Sequence, residues 1–307
     1  MTVALALAPA PVIADPGDGS LDEQIAAAAD SLEIVVEQYN DLRERLRASR
    51  ARADELTAQI TPLEQLMAVH RERLGTIAAT AYRSNGAQPA AALFAAATAD
   101  DLVDPLLMLE RLGREQEKVL ADLAETRHRL GTARRTVRAL ATEQAVQERQ
   151  LSARKRKIEG DLLRLGQLRS ASGRPGEALL ALPTGPPDLP PGAAATAVRF
   201  AYAQLGKPYR WAAEGPDGYD CSGLTLAAWA VAGVRLPHNA ARQFGAVRRI
   251  GRADLRPGDL VFYYRDIHHV AIYVGDGRII HAPKPGDRVR LDRADYQPVA
   301  GYGRPAG

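Results

Sequence analysis

The chain has 307 residues, 46% of them hydrophobic and 25% charged, enough for about two domains with at least one sizeable core, which excludes disorder throughout. Forty Lys and Arg against 37 Asp and Glu leave a net charge of only +3, which argues against nucleic acid as a partner but not against a polyanionic surface. The single cysteine, Cys221, excludes an intramolecular disulfide framework and a Cys-rich zinc knuckle.

Residues 2–14, TVALALAPAPVIA, form an apolar run too short to span a bilayer, with small residues before Asp15. The run has the shape of the tail of a secretion signal lacking its basic start, so residues 1–14 are taken as a signal remnant and the protein as exported. From Leu21 apolar residues alternate at steps of four and three through Ile25, Leu32, Tyr39, Leu46, Leu56, Leu63, Met67 and Ile77. That 3.5-residue period is the mark of a coiled-coil seam, with Arg, Glu and Asp between as solvated flanks. His70 sits on the stripe as a packing residue, and Pro62 predicts a kink or break near Gln59 and Ile60. The pattern lapses over Arg83–Pro89, Leu93 and Phe94 suggest short helices, and a second seam runs from Leu109 through Val119, Leu130 and Val137 to Ile158. Residues 15–172 therefore read as an antiparallel coiled-coil hairpin.

Between Gly173 and Gly192 prolines and glycines cluster, as in a semi-rigid linker. A second domain, 193–307, follows. Ala194–Leu205 reads as an amphipathic helix stopped by Gly206, and Leu224–Val231 as a buried helix stopped by Gly233. Cys221 falls at the start of the latter, where unpaired N–H groups and the helix dipole favour a thiolate. Three strands follow, Leu260–Tyr264, Val270–Val274 and Arg278–His281, the last two joined at Gly275-Asp276-Gly277. The overall class is α+β with a small antiparallel sheet.

Whether His269 and His281 can cooperate depends on register. A two-residue turn pairs Gly275 with Arg278 and puts the histidines on opposite faces, whereas a three-residue loop pairs Val274 with Arg278 and Ala271 with His281. The second register is adopted here, because it lets both histidines share a face while Ile272 and Val274 turn together to the other. Cys221 is then the candidate nucleophile, His269 the base and His281 the group that orients His269. Alone, a single cysteine is more often a buried structural residue; two matched histidines reverse that reading. Asp220 either caps the Cys221 helix or contacts a substrate amine, and it stands with Tyr209 and Ser222 as a substrate-binding candidate. His268, by alternation, points away from His269 to a solvent or packing role, and His238 begins a helix near the cleft. A Cys/His/His zinc site lacks local ligand spacing and a fourth ligand, so no metal is assigned.

The runs PYRW, YDCSGL, LPHNAARQ, RPGDLVFY, HHVAIYVGDG and IIHAP occur in that order over residues 195–303. They resemble the NlpC family of papain-like cysteine peptidases that cut bacterial wall peptides. The resemblance implies a papain-like domain, nucleophile Cys221, base His269, third polar residue His281, a Tyr209 hydroxyl that positions substrate, and no cofactor. It also implies hydrolysis of the γ-D-glutamyl to diamino acid bond of peptidoglycan stem peptides. Ala212-Ala213 stand where such enzymes commonly carry two glycines, a departure that bears on the cleft's shape. The hairpin is similar to coiled-coil regions of cell-division wall hydrolases, which implies docking on a membrane cell-division complex, restraint of the catalytic domain and a secreted or wall-associated location. Two other readings follow from the same residues: a dormant or regulatory wall-docking protein, and a thiol amidase or acyltransferase on another substrate.

Overall fold

A computed structural model describes residues 20–83, 103–172, 185, 186 and 188–306. The signal-like run, the segment holding Leu93 and Phe94, and most of the Pro/Gly stretch lie outside these described residues. Two long helices, α1 (Leu21–Arg83) and α2 (Val103–Ser172), come first. Ser20 starts α1 with a capping box: its Oγ accepts from Glu23 N at 3.3 Å while its own N–H donates to the Glu23 carboxylate at 2.8 Å. Contrary to the expected break, α1 runs through Pro62. Leu56 and Leu63 are buried on either side of it, so packing offsets the one backbone hydrogen bond that proline removes.

By contacts the chain forms two units, residues 45–148 in one and residues 1–44 with 149–307 in the other. In the first unit the helices are antiparallel: Arg50 pairs with Glu148 at 2.7 Å and Glu64 pairs with Arg134. Leu63, Met67 and Leu130 are buried together there, and His70 is buried as a packing residue of the stripe. In the other unit Ala29, Leu32 and Val36 pack on Ile158 and Leu165.

The same unit holds an α+β fold with α3 (Ala193–Ala203), α4 (Cys221–Ala230) and α5 (Ala240–Ala246). Its six strands are β1 (Arg248–Ile250), β2 (Leu260–Tyr263), β3 (His269–Gly275), β4 (Arg278–His281), β5 (Arg290–Arg293) and β6 (Val299–Arg304). They form one antiparallel sheet ordered β1-β6-β2-β3-β4-β5. Alternation divides the side chains: Leu260, Ile272, Val274 and Ile280 pack with Val198 and Leu224 of the helices, while Val261, Ala271 and Ile279 meet Tyr296 and Tyr302 on the other side. The buried residues of the first of these cores all lie between Ala197 and Val289, with Leu189 among the partly buried residues packed against them.

The β3–β4 hairpin corrects the expected register. Gly275 does pair with Arg278 around a two-residue turn, and Asp276 and Gly277 both take positive φ, 51° and 68°, as a type I′ turn requires. The register then shifts between Tyr273 and Gly275, so that Tyr273 faces Ile279 and Ile272 faces Ile280. This bulge restores, one residue further on, the pairing that a three-residue loop would have produced. It is what lets His269 and His281 meet.

Candidate active site

Cys221 is the first residue of α4, and Asp220 is its N-cap, accepting from Gly223 N at 2.7 Å. Gly223 cannot be replaced without disruption, because a Cβ there would lie 2.1 Å from the carbonyl oxygen of Ala213. The preceding Ala212 holds φ at 53°, in the left-handed region where glycine is at ease. The departure from two glycines is therefore accommodated with the backbone geometry that glycine favours.

His269 opens β3 and His281 closes β4, and His269 Nε2 lies 2.9 Å from His281 Nδ1. Behind them, His281 Nε2 is 3.6 Å from an Asp292 carboxylate oxygen on β5, an ion-pair distance. Tyr296 packs edge-on against both imidazoles, at 6.0 and 4.7 Å between centroids. Burial holds both histidines neutral, His269 down to about 3 and His281 down to about 4. Asp292 moves the other way. Burial alone would raise it, but its contact with His281 and the nearby Arg290 bring it down to about 2.

The first stretch of α1 lies on this site. Glu33 hydrogen-bonds His269 Nδ1, and a Glu33 oxygen, the Cys221 sulfur and a His269 ring nitrogen all lie within 4.8 Å of one another. Glu37 accepts from Ser222 Oγ at 2.6 Å, Asn239 Nδ2 at 2.9 Å and Ala240 N at 2.6 Å, and its nearer oxygen is 3.6 Å from Cys221 Sγ. Asn40 Nδ2 donates to Asp220 Oδ2 at 2.9 Å. Under this cover Cys221 is 1% exposed and His269 and His281 are 0% exposed.

Burial pushes the Glu33 carboxyl well above its ordinary range, and burial together with Asp220 pushes Glu37 up to about 7. With Glu33 neutral, one proton arrangement satisfies the chain: Glu33 O–H donates to His269 Nδ1, His269 Nε2–H donates to His281 Nδ1, and His281 Nε2–H points at Asp292. His269 Nδ1 is thus the lone pair that would take a proton from the thiol. The thiolate expected from the helix start is not the state found here. Burial, then Glu37 and Glu33, push the Cys221 thiol well above its ordinary value.

The remaining candidates divide by role. Ser222 and Asp220 are fully buried beside Cys221, and Asp220 both caps α4 and pairs with His238, whose Nε2 sits 2.9 and 3.1 Å from its two oxygens. Burial opposes the Asp220 charge, but His238 outweighs it and holds the carboxyl low. His238 is thus a partner of the cap. The Tyr209 hydroxyl is buried and has no hydrogen-bond partner among the described residues, as a donor reserved for substrate would be. His268 stacks on Tyr264 at 4.1 Å and bonds Asp266 at 2.6 Å, and a ring nitrogen lies within 4.8 Å of the Glu33 carboxyl that bonds His269. Burial disfavours its charge, yet Asp30 and Asp266 raise it to about 9. Two groups of three metal-competent donors occur among the described residues, Glu33, Cys221, His269 and Asp30, Glu33, His268. Their donors are engaged with one another, Glu33 with His269 and Asp30 with His268 at 3.4 Å. Sequence reasoning missed Glu33, Glu37, Asn40, Asn239 and Asp292.

Residues 206–301 match the family model described as the NlpC/P60 family. The C-terminal segment is an NlpC/P60 domain. Among curated proteins, a probable endopeptidase of Mycobacterium tuberculosis is 38% identical over 110 residues, covering 36% of this chain and 29% of that protein. The probable endopeptidase p60 of Listeria monocytogenes is 44% identical over 88 residues, 28% of this chain and 18% of that protein. This chain therefore spans less than a third of the length of these relatives. Among solved structures, the NlpC/p60 domain of the peptidoglycan hydrolase SagA is 33% identical and covers 36% of this chain and 97% of that one, with a TM-score of 0.34. All matched residues that bear on chemistry, from Tyr209 through Cys221, His269 and His281, fall inside the NlpC/P60 domain; Glu33, Glu37 and Asn40 fall outside it.

Proposed function

We propose that this chain is an exported peptidoglycan endopeptidase that hydrolyses the γ-D-glutamyl to diamino acid bond of stem peptides. The supporting observation is the line Cys221, His269, His281 built across α4, β3 and β4 of an NlpC/P60 domain. His269 Nδ1 takes the thiol proton, and Cys221 Sγ attacks the amide carbonyl carbon to form a tetrahedral adduct. The backbone N–H groups at the start of α4 and the Tyr209 hydroxyl stabilise its oxyanion. His269 then protonates the departing amine as the C–N bond breaks, leaving a thioester on Cys221. Water, deprotonated by His269, attacks the thioester and releases the new carboxylate, and the thiol regains its proton. His281 holds His269 in the productive tautomer. It is a weaker partner for an imidazolium than a carboxylate, and Asp292 behind it supplies the missing negative charge.

Export is supported by the apolar run before Asp15; among the described residues no helix is long and apolar enough to cross a membrane. Docking of the helical pair on a membrane cell-division complex is supported by the exposed Tyr82, Val103 and Leu107 at the ends of α1 and α2. Digestion of purified wall by residues 193–307, followed by mass spectrometry, tests the reaction. New amino groups on the diamino acid are expected, and Cys221→Ala lowers their release by at least about a thousandfold. Undiminished release by Cys221→Ala excludes the mechanism.

A further inference from the structure

The two edges of the sheet treat their arginines differently. On β5, Arg290 Nε donates to Asp292 at 3.1 Å and Arg293 Nε to Asp295 at 2.9 Å, so each cation of that edge has its own carboxylate. β1 forms the other edge, and along it and the turn that follows, Arg248, Arg249 and Arg256 are exposed. None of their guanidinium groups has a carboxylate partner or a hydrogen bond among the described residues. Like charges also meet across the ladder, because Arg248 is the direct partner of Arg304. Such a pairing is destabilising, and sheet formation does not require it.

The cluster is held in place. Arg304 donates from Nε and Nη2 to the two oxygens of Asp259, both at 2.7 Å, and from Nη2 to the Asp254 carbonyl at 2.7 Å. The Arg249 guanidinium lies over the ring of Phe244, which packs on Phe262 at 4.8 Å between centroids. With Arg248, Arg256 and Asp254 these arginines line a groove of about 440 Å3, a volume in the range of ligand sites. Asp259 is engaged by Arg304, which leaves three unpaired cations facing the one carboxylate of Asp254.

The groove is remote from catalysis. β6 and β2 lie between β1 and β3, and β2 pairs Tyr263 with His269 at one end but Leu260 with Gly303, next to Arg304, at the other. A molecule held there leaves His269 and His281 free. Guanidinium forks match phosphate oxygens two at a time. Wall peptides carry amines beside their carboxylates, whereas unpaired cations in a row suit a polymer in which every unit is an anion.

We propose that the groove of Arg248, Arg249 and Arg256 binds a phosphodiester polymer of the bacterial wall and tethers the enzyme beside its substrate. The groove stands on its own residues; the wall as the source of the polymer rests on the endopeptidase reading.

Co-sedimentation of the full chain carrying Cys221→Ala, which binds without turnover, tests the tether on purified wall before and after cold hydrofluoric acid, which cleaves phosphodiesters and spares glycan and peptide. The Cys221→Ala chain should bind untreated wall at least about tenfold more tightly than treated wall. Adding Arg248→Gln, Arg249→Gln and Arg256→Gln should abolish that excess and make the slope of log affinity against log salt shallower by about 2, as expected for three lost phosphate contacts. Equal affinity for untreated wall with and without the three substitutions overturns the proposal. An equal loss on treated wall also overturns it, by assigning the groove to the carboxylates of the peptide. If losing the Phe244 contact lowers the melting transition, Arg248→Gln with Arg256→Gln keeps that contact and should still weaken binding to untreated wall at least about threefold; unchanged binding of that pair overturns the tether. Binding is read without cleavage, so failure of the chain with Cys221 to digest wall removes the endopeptidase reading and not the groove.

Discussion

Between Leu21 and Glu44, α1 buries Glu33, Glu37 and Asn40. Between Arg45 and Arg83 the same helix keeps Arg50, Arg52, Glu55 and Glu64 at least 44% exposed, and their ion pairs lie in solvent. Both stretches have an apolar stripe of the same period, but the first carries seven acidic residues against one basic and the second four against seven. What also separates them is what the flank meets: water in the second stretch, and the buried donors and acceptors around Cys221 and His269 in the first. A charged flank on a long helix is therefore a solvated face only by default, and spacing alone cannot reveal the exception.

Acidity should sharpen the contrast most. Burial and Asp220 raise Glu37 from its ordinary 4.5 to about 7, so the covered state holds a proton that an uncovered Glu37 gives up. Covering is then strongest below the ordinary value and weakens as pH climbs from 4.5 to about 7, levelling above that. Each pH unit in that window moves the open-to-covered ratio by up to about tenfold per proton released. The charged and titratable groups facing Glu37 are Asp220, His238, Cys221 and Tyr209, and Asp220 and His238 are paired with one another. The rate of Cys221 alkylation in the parent, divided by that in Glu37→Gln, should rise across the window and then flatten. A flat ratio would mean that Glu37 carries its charge under cover.

Single truncations compare the two stretches at equal chemistry. Glu37→Ala is expected to speed alkylation about tenfold. Glu64→Ala removes the partner of Arg134 on the exposed surface and should change the rate less than about twofold, since such pairs contribute little. A comparable response to the two substitutions would erase the distinction between the stretches.

Much of the placement of Cys221, His269 and His281 was legible in residue order. Cys221 after a capping Asp220, and histidines at the start of one strand and the end of another, are local signals that survive without coordinates. The hairpin was legible only in outcome. The pairing that brings His269 to His281 was anticipated, but through a three-residue loop, whereas the chain reaches it by a type I′ turn and a bulge at Val274. A bulge leaves no mark in an alternating apolar pattern. Asp292 was invisible because β5 was not foreseen, and β5 has the partly exposed pattern of an edge strand, with no apolar alternation to find. The ionisation of Cys221 was misread for a different reason. A helix start favours the thiolate in an open cleft, but the desolvation that overrides it comes from residues some 180 positions earlier in the chain.

The covering stretch can be tested against its own absence. The second-order rate constant for alkylation of Cys221 at pH 7 should be at least about tenfold smaller in the full chain than in residues 193–307, because only the full chain can bury the sulfur beneath Glu33 and Glu37. Equal rate constants in the two proteins would contradict a Cys221 sealed by that stretch.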